Sequence, residues 1–448
     1  MRIRLATAQP MNPAPSVTPM REIAAASPHS VRRVVVSSFI GTAIEWYDFF
    51  LYGTAAALVF NRLFFPTLEP LAGTMASFAT YAVGFFARPI GGIVFGHFGD
   101  RVGRKSMLVT TLVMMGLATF CVGILPTYEQ AGLLAPICLV ALRFVQGLAV
   151  GGEWGGAVLM VAEHSDIRRR GFFASWVQAG VPVGMLLATA AFSLVTLLPA
   201  ESFMSWGWRI PFLMGVVLTA FGYFIRLRVL ESPIFTQAKA KQTVAKLPIL
   251  EVVRHQRKSV FLAMGARLAE NVCFYIFTVW VLSYATQQLG MARSTLLNGV
   301  LIGSAVQLGA IPFFGALSDR MGRRPVYVGG AIFLLLFAFP FFWLVETRSI
   351  GFVWLAIVLG MVGHAAMYGP QAAFFSELFG TGTRYTGASL GYQLASPFAG
   401  GLAPLIASAL LSASGNQTWS VALYLVGVAL VTIACVCVAQ ETHRRDLS

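Results

Sequence analysis

Charge is scarce in this chain: of 448 residues, only 11% are Asp, Glu, Lys or Arg, against roughly 25% in an ordinary soluble domain. Apolar residues make up 57%, and the mean hydropathy is +0.73. A soluble fold of this length cannot hide so much apolar surface, so lipid must be its solvent. Cysteine is rarer still. Cys121, Cys138, Cys273, Cys435 and Cys437 all fall in apolar segments without metal-type pairing, so no disulfide framework is implied. They read as small buried hydrophobes, with a redox role for Cys435-x-Cys437 as the alternative. No Gly-x-x-x-x-Gly-Lys-Ser/Thr loop and no His-Glu-x-x-His is present, so neither an ATP-driven pump nor a membrane enzyme fits. No cofactor and no metal are expected.

What is present is a series of long apolar runs. A spanning helix needs about 20 mainly apolar residues. Twelve candidates lie near 34–60, 71–98, 106–126, 132–162, 172–198, 207–229, 259–287, 295–317, 325–345, 349–377, 386–412 and 418–439. Barrel strands would alternate over short segments, and Gly351 to Gly363 does not. The predicted class is an all-α membrane protein with twelve transmembrane helices.

The net charge of +14 is distributed unevenly. With a cytoplasmic N-terminus, 25 of the 32 Lys and Arg fall in cytoplasmic tails and loops, four (Arg62, Arg209, Arg293, Arg348) in outer loops and three inside helices. This asymmetry predicts that both termini are cytoplasmic and argues against a nucleic-acid partner. Residues 1–30 are rich in Pro, Ala and Ser and have no apolar signal core, so they read as a disordered cytoplasmic tail.

The chain also repeats. Gly96-His97-Phe98-Gly99-Asp100-Arg101-Val102-Gly103-Arg104-Lys105 recurs 219 residues later as Gly315-Ala316-Leu317-Ser318-Asp319-Arg320-Met321-Gly322-Arg323-Arg324. Glu163 with Arg170 is echoed more faintly by Glu377 with Arg384, at an offset of 214. A duplicated six-helix unit follows: one bundle over 31–230, a polar, basic linker over 231–258 carrying Lys239, Lys241 and Lys246, a second bundle over 259–440 and a short tail over 441–448. Two bundles joined by one linker suit rocking about a central site. In each motif copy the Asp can pair with nearby Arg residues or cap the following helix, a charge latch that need hold in only one conformation. Asp100, Arg101, Gly103 and Arg104, with Asp319, Arg320, Gly322 and Arg323, are the candidate gating residues. The alternative is that these bases only fix topology.

The doubled motif resembles the signature of the major facilitator superfamily. Glu45-Trp46-Tyr47-Asp48-Phe49, Ala87-Arg88-Pro89-Ile90-Gly91-Gly92, Arg143-Phe144-Val145-Gln146-Gly147, Gly151-Gly152-Glu153-Trp154-Gly155-Gly156, Ser205-Trp206-Gly207-Trp208-Arg209-Ile210-Pro211-Phe212 and Leu230-Glu231-Ser232-Pro233 resemble, more narrowly, its metabolite:proton symporter family. That family includes shikimate, citrate, α-ketoglutarate and proline/betaine carriers. The resemblance covers about residues 30–440 and is nearest to the shikimate permease branch. It implies a monomeric inner-membrane carrier of two pseudo-symmetric six-helix bundles, whose partners are a small organic anion, a proton and membrane lipid.

A charge at the bilayer centre costs a few kcal/mol, so each one needs a partner, a water cavity or a task. Glu45, Asp48 and Tyr52 share one face of the first span. Two nearby carboxylates do not readily both ionise in a dehydrated cavity, which suits one of them to carry a proton; the alternative is static pairing with Arg88 or Arg143. Arg143, Gln146 and Glu153 trace a polar seam on the fourth span that is expected to face the cavity. Arg143 can grip a carboxylate with its planar fork, and Glu153 can alternate between a proton and Arg143; a purely structural Arg143–Glu153 pair competes. Arg88 either binds substrate or locks the second span to Asp48, and the resemblance favours substrate. Arg267 and Glu270, then Asn271 and Tyr275, form the counterpart face on the seventh span.

Proton coupling is therefore expected at Glu45, Asp48 and Glu153. The substrate is expected at Arg88 and Arg143, with Gln146, Trp46, Tyr47, Tyr52, Asn271 and Tyr275 shaping the pocket. Tyr368, Gln371, Tyr392 and Gln393 either bond a polyhydroxy acid or satisfy one another. His364 is either a pH sensor or a packed, hydrogen-bonded histidine. Import of a zwitterionic solute, or export of drugs or metabolites on the same fold, are the alternatives to organic-acid import.

Overall fold

The computed structural model describes residues 28–240, 248–380, 382–445 and 447. Most of the tail read over 1–30, and Lys241 and Lys246 of the linker, lie outside them. Twelve helices are long and apolar enough to cross a membrane: α1 Val31–Leu63, α2 Met75–Arg101, α3 Arg104–Ile124, α4 Leu134–His164, α5 Arg170–Val195, α6 Gly207–Leu227, α7 Arg257–Gln287, α8 Arg293–Met321, α9 Arg323–Glu346, α10 Ile350–Leu378, α11 Arg384–Ala413 and α12 Trp419–Val438. No strand occurs among the described residues. The outer surface carries large apolar side chains such as Phe86, Leu134, Leu194, Phe224, Leu336 and Leu405, more than a third exposed, as a lipid-facing surface requires.

The duplication is visible in local geometry. Both α1 and α7 contain one π-helical turn, at Ala56–Phe60 and Ile276–Trp280. The α2–α3 and α8–α9 corners turn on Gly103 and Gly322, whose φ values of 137° and 103° disfavour any side chain. Helix α4 lies close on α2 because a Cβ at Gly151 would overlap the Arg88 carbonyl and one at Gly147 the Gly84 carbonyl.

Helices α1–α6 form one half and α7–α12 the other. Between them run two short helices, Pro233–Ala240 and Pro248–His255. The halves meet where α2 packs on α11, α5 on α8 and α10, and α4 on α11. The seam between them holds most of the buried polar side chains discussed below.

Candidate functional site

Arg88 on α2 and Arg143 on α4 are each 2% exposed. The Arg88 guanidinium lies 4.5 Å from the ring centroids of both Phe49 and Phe85, and 5.8 Å from that of Trp46. Arg143 lies 4.3 Å from Tyr52, 4.7 Å from Tyr81 and 4.8 Å from Phe49. One ring, Phe49, thus serves both cations. Among the described residues neither arginine has a carboxylate partner. In both, Nε and Nη2, the side-on fork that matches a carboxylate, lack any hydrogen-bond acceptor. Arg143 Nη1 donates to Gln146 Oε1 at 3.3 Å, and Gln146 Nε2 donates to Thr119 Oγ1 at 2.8 Å.

Other unsatisfied groups lie nearby. Asp48 faces Arg143 and Thr119, but neither of its oxygens makes a hydrogen bond of ordinary geometry. From the opposite half, Asn271 Nδ2 and the Tyr275 hydroxyl on α7 also lack partners, and the Tyr275 ring packs edge-on at 5.6 Å from Phe85. A buried ion left unpaired costs several kcal/mol, and the open forks of these two guanidiniums have the chemistry to accept a carboxylate. No group of three or more His, Cys, Asp or Glu among the described residues is placed to hold a metal.

Several expected residues lie elsewhere. Beyond Arg143 the polar side chains of α4 turn toward α3 and α6, and Glu153 does not pair with Arg143. Its carboxylate is held by Arg226 of α6 and by the Thr111 hydroxyl at 2.9 Å. A buried carboxylate takes the nearest cation that its geometry permits, and a Cβ-free Gly41 on α1 makes room for Arg226. Arg226, counted from sequence among the loop bases, is 3% exposed inside the bundle. Arg88 does not lock to Asp48. Tyr47 points away from the seam, donating to the Pro211 carbonyl at 2.7 Å, and the Tyr52 hydroxyl donates to Thr80 at 2.8 Å.

In the second half, Glu270 accepts from Gln371 at 3.1 Å, lies 3.2 Å from His364 Nε2 and 3.7 Å from Arg267. His364 Nδ1 meets Gln307 at 2.8 Å, so this histidine is packed and bonded. The Tyr368 and Tyr392 hydroxyls meet at 3.4 Å, and Gln393 donates to the carbonyls of Val150 and Gly151. These four polar residues satisfy one another and neighbouring helices in this conformation. Gly387-Ala388-Ser389-Leu390-Gly391 has the spacing of a nucleophile elbow, but it runs inside the helix Arg384–Leu394 without the strand-to-helix turn that such an elbow needs. Among the cysteines, Cys273 is buried while Cys437 is exposed.

At one end of the seam a doubled charge network, the latch, bonds the two halves to each other. Asp100, at the end of α2, accepts the backbone N–H groups of Tyr385 and Thr386 at 3.2 and 2.9 Å, capping α11 of the other half. Asp319, at the end of α8, accepts those of Gly171 and Phe172 at 2.8 Å each, capping α5. Neither Asp caps the helix that follows it, which is what the sequence leads one to expect: each caps a helix across the seam, because Gly103 and Gly322 turn the chain away while the N-terminus of the opposing helix meets the carboxylate. Arg104 bridges Asp100 and Glu163, both at 3.4 Å, and Glu163 continues to Arg384 at 3.3 Å. Arg323 bridges Asp319 at 2.6 Å and Glu377 at 3.1 Å, and Glu377 continues to Arg170 at 3.1 Å. Arg101 and Arg320 are exposed and take no part in these bridges.

The latch is buttressed twice more. Glu231 accepts the backbone N–H groups of Arg104 and Lys105, and Glu441 those of Arg323 and Arg324. Ser232 bonds Glu163, and Thr442 bonds Glu377 at 2.7 Å. In sequence the Glu163/Glu377 echo and its arginines stand out as a repeat but carry no sign of their role. The Glu231-Ser232 and Glu441-Thr442 pairs were a further signal, 210 residues apart.

The family model for the Major Facilitator Superfamily matches residues 38–393. The chain belongs to this superfamily and, within it, to the metabolite:proton symporter family. It is 44% identical over 418 residues to the shikimate transporter of Escherichia coli (strain K12), covering 92% of this chain and 95% of that one. It is 41% identical to the inner membrane metabolite transport protein YhjE of the same organism, covering 94% and 96%, and 33% identical to its proline/betaine transporter, covering 96% and 87%. The fold matches the proton:xylose symporter XylE bound to 6-bromo-6-deoxy-D-glucose with a TM-score of 0.74, at 18% identity and over 94% of this chain and 98% of that one. These relatives and neighbours are transporters, not enzymes, and the twelve spans make this a multi-pass inner-membrane transporter.

Proposed function

We propose that the chain imports a small organic acid, shikimate-like or a di- or tricarboxylate, together with a proton, by alternating access. The observation that carries this reading is the pair of buried guanidiniums, Arg88 and Arg143, with open Nε/Nη2 forks around Phe49. A substrate carboxylate satisfies one fork, and a second anionic or hydroxyl group can reach the other, with Asn271 and Tyr275 closing from the opposite half. Asp48, uncompensated beside Arg143, is the carboxylate placed to exchange a proton as the acid binds. The positive-inside distribution orients the latch end to the cytoplasm. The similarity to a shikimate transporter supports this substrate class.

A zwitterionic substrate is the second reading. It is favoured by the same free Asp48, which could meet a cationic group while Arg143 holds the carboxylate, and by the similarity to a proline/betaine transporter. Uptake into proteoliposomes under an imposed inward proton gradient decides between them. Accumulation of labelled shikimate, abolished by an uncoupler, is the expected result. Accumulation of betaine alone favours the second reading, and gradient-driven loss of preloaded substrate would show export and overturn both.

A further inference from the structure

A hydrogen-bond chain crosses the seam, and each of its links can run in one direction only. It starts in the first half, where the Trp154 indole, which can only donate, gives its N–H to Gln178 Oε1 at 2.7 Å. Gln178 Nε2 then faces two acceptors of the other half, the Tyr368 carbonyl and Gln371 Oε1, each at 3.4 Å. Gln371 Nε2 likewise lies between the Tyr327 hydroxyl at 2.7 Å and Glu270 Oε2 at 3.1 Å. The Tyr327 proton already goes to the Ala266 carbonyl at 3.0 Å, so that hydroxyl accepts from Gln371. The chain thus ends on the Glu270 carboxylate.

A second chain reaches Glu270 from the other side. Gln307 Nε2 of α8 lies 3.0 Å from the Met361 carbonyl and 2.8 Å from His364 Nδ1. The Met361 carbonyl can only accept, so the atom facing it is the amide nitrogen, and Nδ1 meets that nitrogen with its lone pair. The ring proton then sits on Nε2, 3.2 Å from Glu270 Oε1. A proton added at Nδ1 would face the Gln307 N–H, and turning that amide would set its oxygen against the Met361 carbonyl. The charged and titratable groups around the cluster are Arg267, Cys273 and Tyr275 from α7, Tyr327 from α9, Tyr368 from α10 and Tyr392 from α11. Of these Arg267 alone is charged at neutral pH, so a neutral His364 leaves it balanced by Glu270. Every side chain in the two chains is buried.

We propose that Gln307 locks His364 as a neutral Nε2–H donor, and that His364 is a positioning residue: it holds the ionised Glu270 carboxylate, and through it the Gln371 amide that meets Gln178 of the other half. His364 is then no proton carrier, which leaves coupling to the first half. That consequence rests on the proton-coupled reading above; the assignment of the ring proton does not.

Nitrogen NMR of the full-length chain labelled in its histidines, with H364Q identifying the signal, tests the lock without transport. Wild type should show one protonated and one bare ring nitrogen from about pH 5 to 8. An imidazolium within that range, or a proton on Nδ1, would overturn the assignment. Q307L frees Nδ1 beside the Glu270 carboxylate and should titrate within the range; a spectrum like that of wild type would remove Gln307 from the role. Counterflow of labelled shikimate, measured per folded transporter, tests the positioning. H364Q keeps an N–H toward Glu270 and should retain counterflow within about twofold, whereas H364F leaves a buried carboxylate oxygen without its donor and should lose about tenfold or more. Equal rates for the two variants would overturn the positioning role. If the NMR result holds while wild type exchanges no shikimate, the organic-acid reading fails and the ring-proton assignment stands.

Discussion

Trp154 of α4 lies flat on Tyr392 of α11, with ring centroids 3.6 Å apart and planes 10° from parallel. The other half thereby holds an aromatic face of the first, and Tyr392 is itself clamped by Arg267, whose guanidinium sits 3.0 Å from the ring centroid. Stacking of this kind contributes about 1 kcal/mol beyond burial, which corresponds to roughly fivefold in a population. W154A should shift the chain by about that factor toward the conformation open at the latch end, read as a longer distance between spin labels on the ends of α2 and α11. An unchanged distance distribution would show that the stack does not bias the equilibrium.

Replacing Arg143 by Lys keeps the charge but loses the fork. R143K should lower kcat/KM for the transported acid by about tenfold or more, and R88K similarly, because a point charge cannot make two parallel bonds to a carboxylate. Near-normal uptake by R143K would remove that side chain from the binding site.

In the proposed cycle Asp48 exchanges the proton and does not hold the acid. D48N should therefore retain counterflow while losing accumulation driven by the proton gradient. Retained accumulation would shift the coupling role to Glu45.

The latch separates two neighbouring arginines. Removing one member of a buried ion network costs about 3 kcal/mol or more. R104A, which removes the cation shared by Asp100 and Glu163 and leaves Glu163 with Arg384 alone, should thus slow turnover severalfold or more with little change in substrate affinity. R101A, at an exposed position, should remain within about 0.5 kcal/mol of wild type. Stopped-flow binding and steady-state uptake on the two variants provide the comparison.

The Glu441 carboxyl gives a pH test outside the membrane. Burial alone would raise it, but the backbone N–H groups of Arg323, Arg324, Thr442 and His443 hold it below the usual carboxylate range. Its folded value lies below the unfolded value of about 4.3. Docking of the tail is therefore supported above that ordinary value and lost as pH falls through the lowered one. A spin label on Cys437, as the sole remaining cysteine, should stay immobile near neutral pH and gain mobility only in acid. E441Q should be mobile throughout.

Much of this architecture could be read in the sequence. Apolar runs placed all twelve spans, and the recurrence of Gly-x-x-x-Asp-Arg-x-Gly-Arg located both corners of the latch. The rarity of charge made Arg88 and Arg143 conspicuous. Arg226 was hidden because a base near the end of a span looks the same in sequence whether it snorkels to solvent or folds back onto a carboxylate 73 residues away. Tyr47 was misplaced for a related reason: its neighbour Trp46 faces the seam, and residues one apart on a helix point in different directions. In sequence each aspartate reads as a cap for the helix that follows it, whereas each serves a helix of the opposite half. That choice depends on how the bundles dock, which no local pattern encodes.

The exchange of caps has a mechanical consequence. Each half both supplies a carboxylate and presents a helix end, so the two contacts cross the boundary between the halves in opposite directions. Tilting α2 away from α11 frees two backbone donors, and the same tilt must free two more as α8 leaves α5. A half-unfastened intermediate would carry the cost of one broken corner while strained by the other. If the halves rock apart at this end, release would then be a single cooperative event, with a steeper temperature dependence than either corner alone would show.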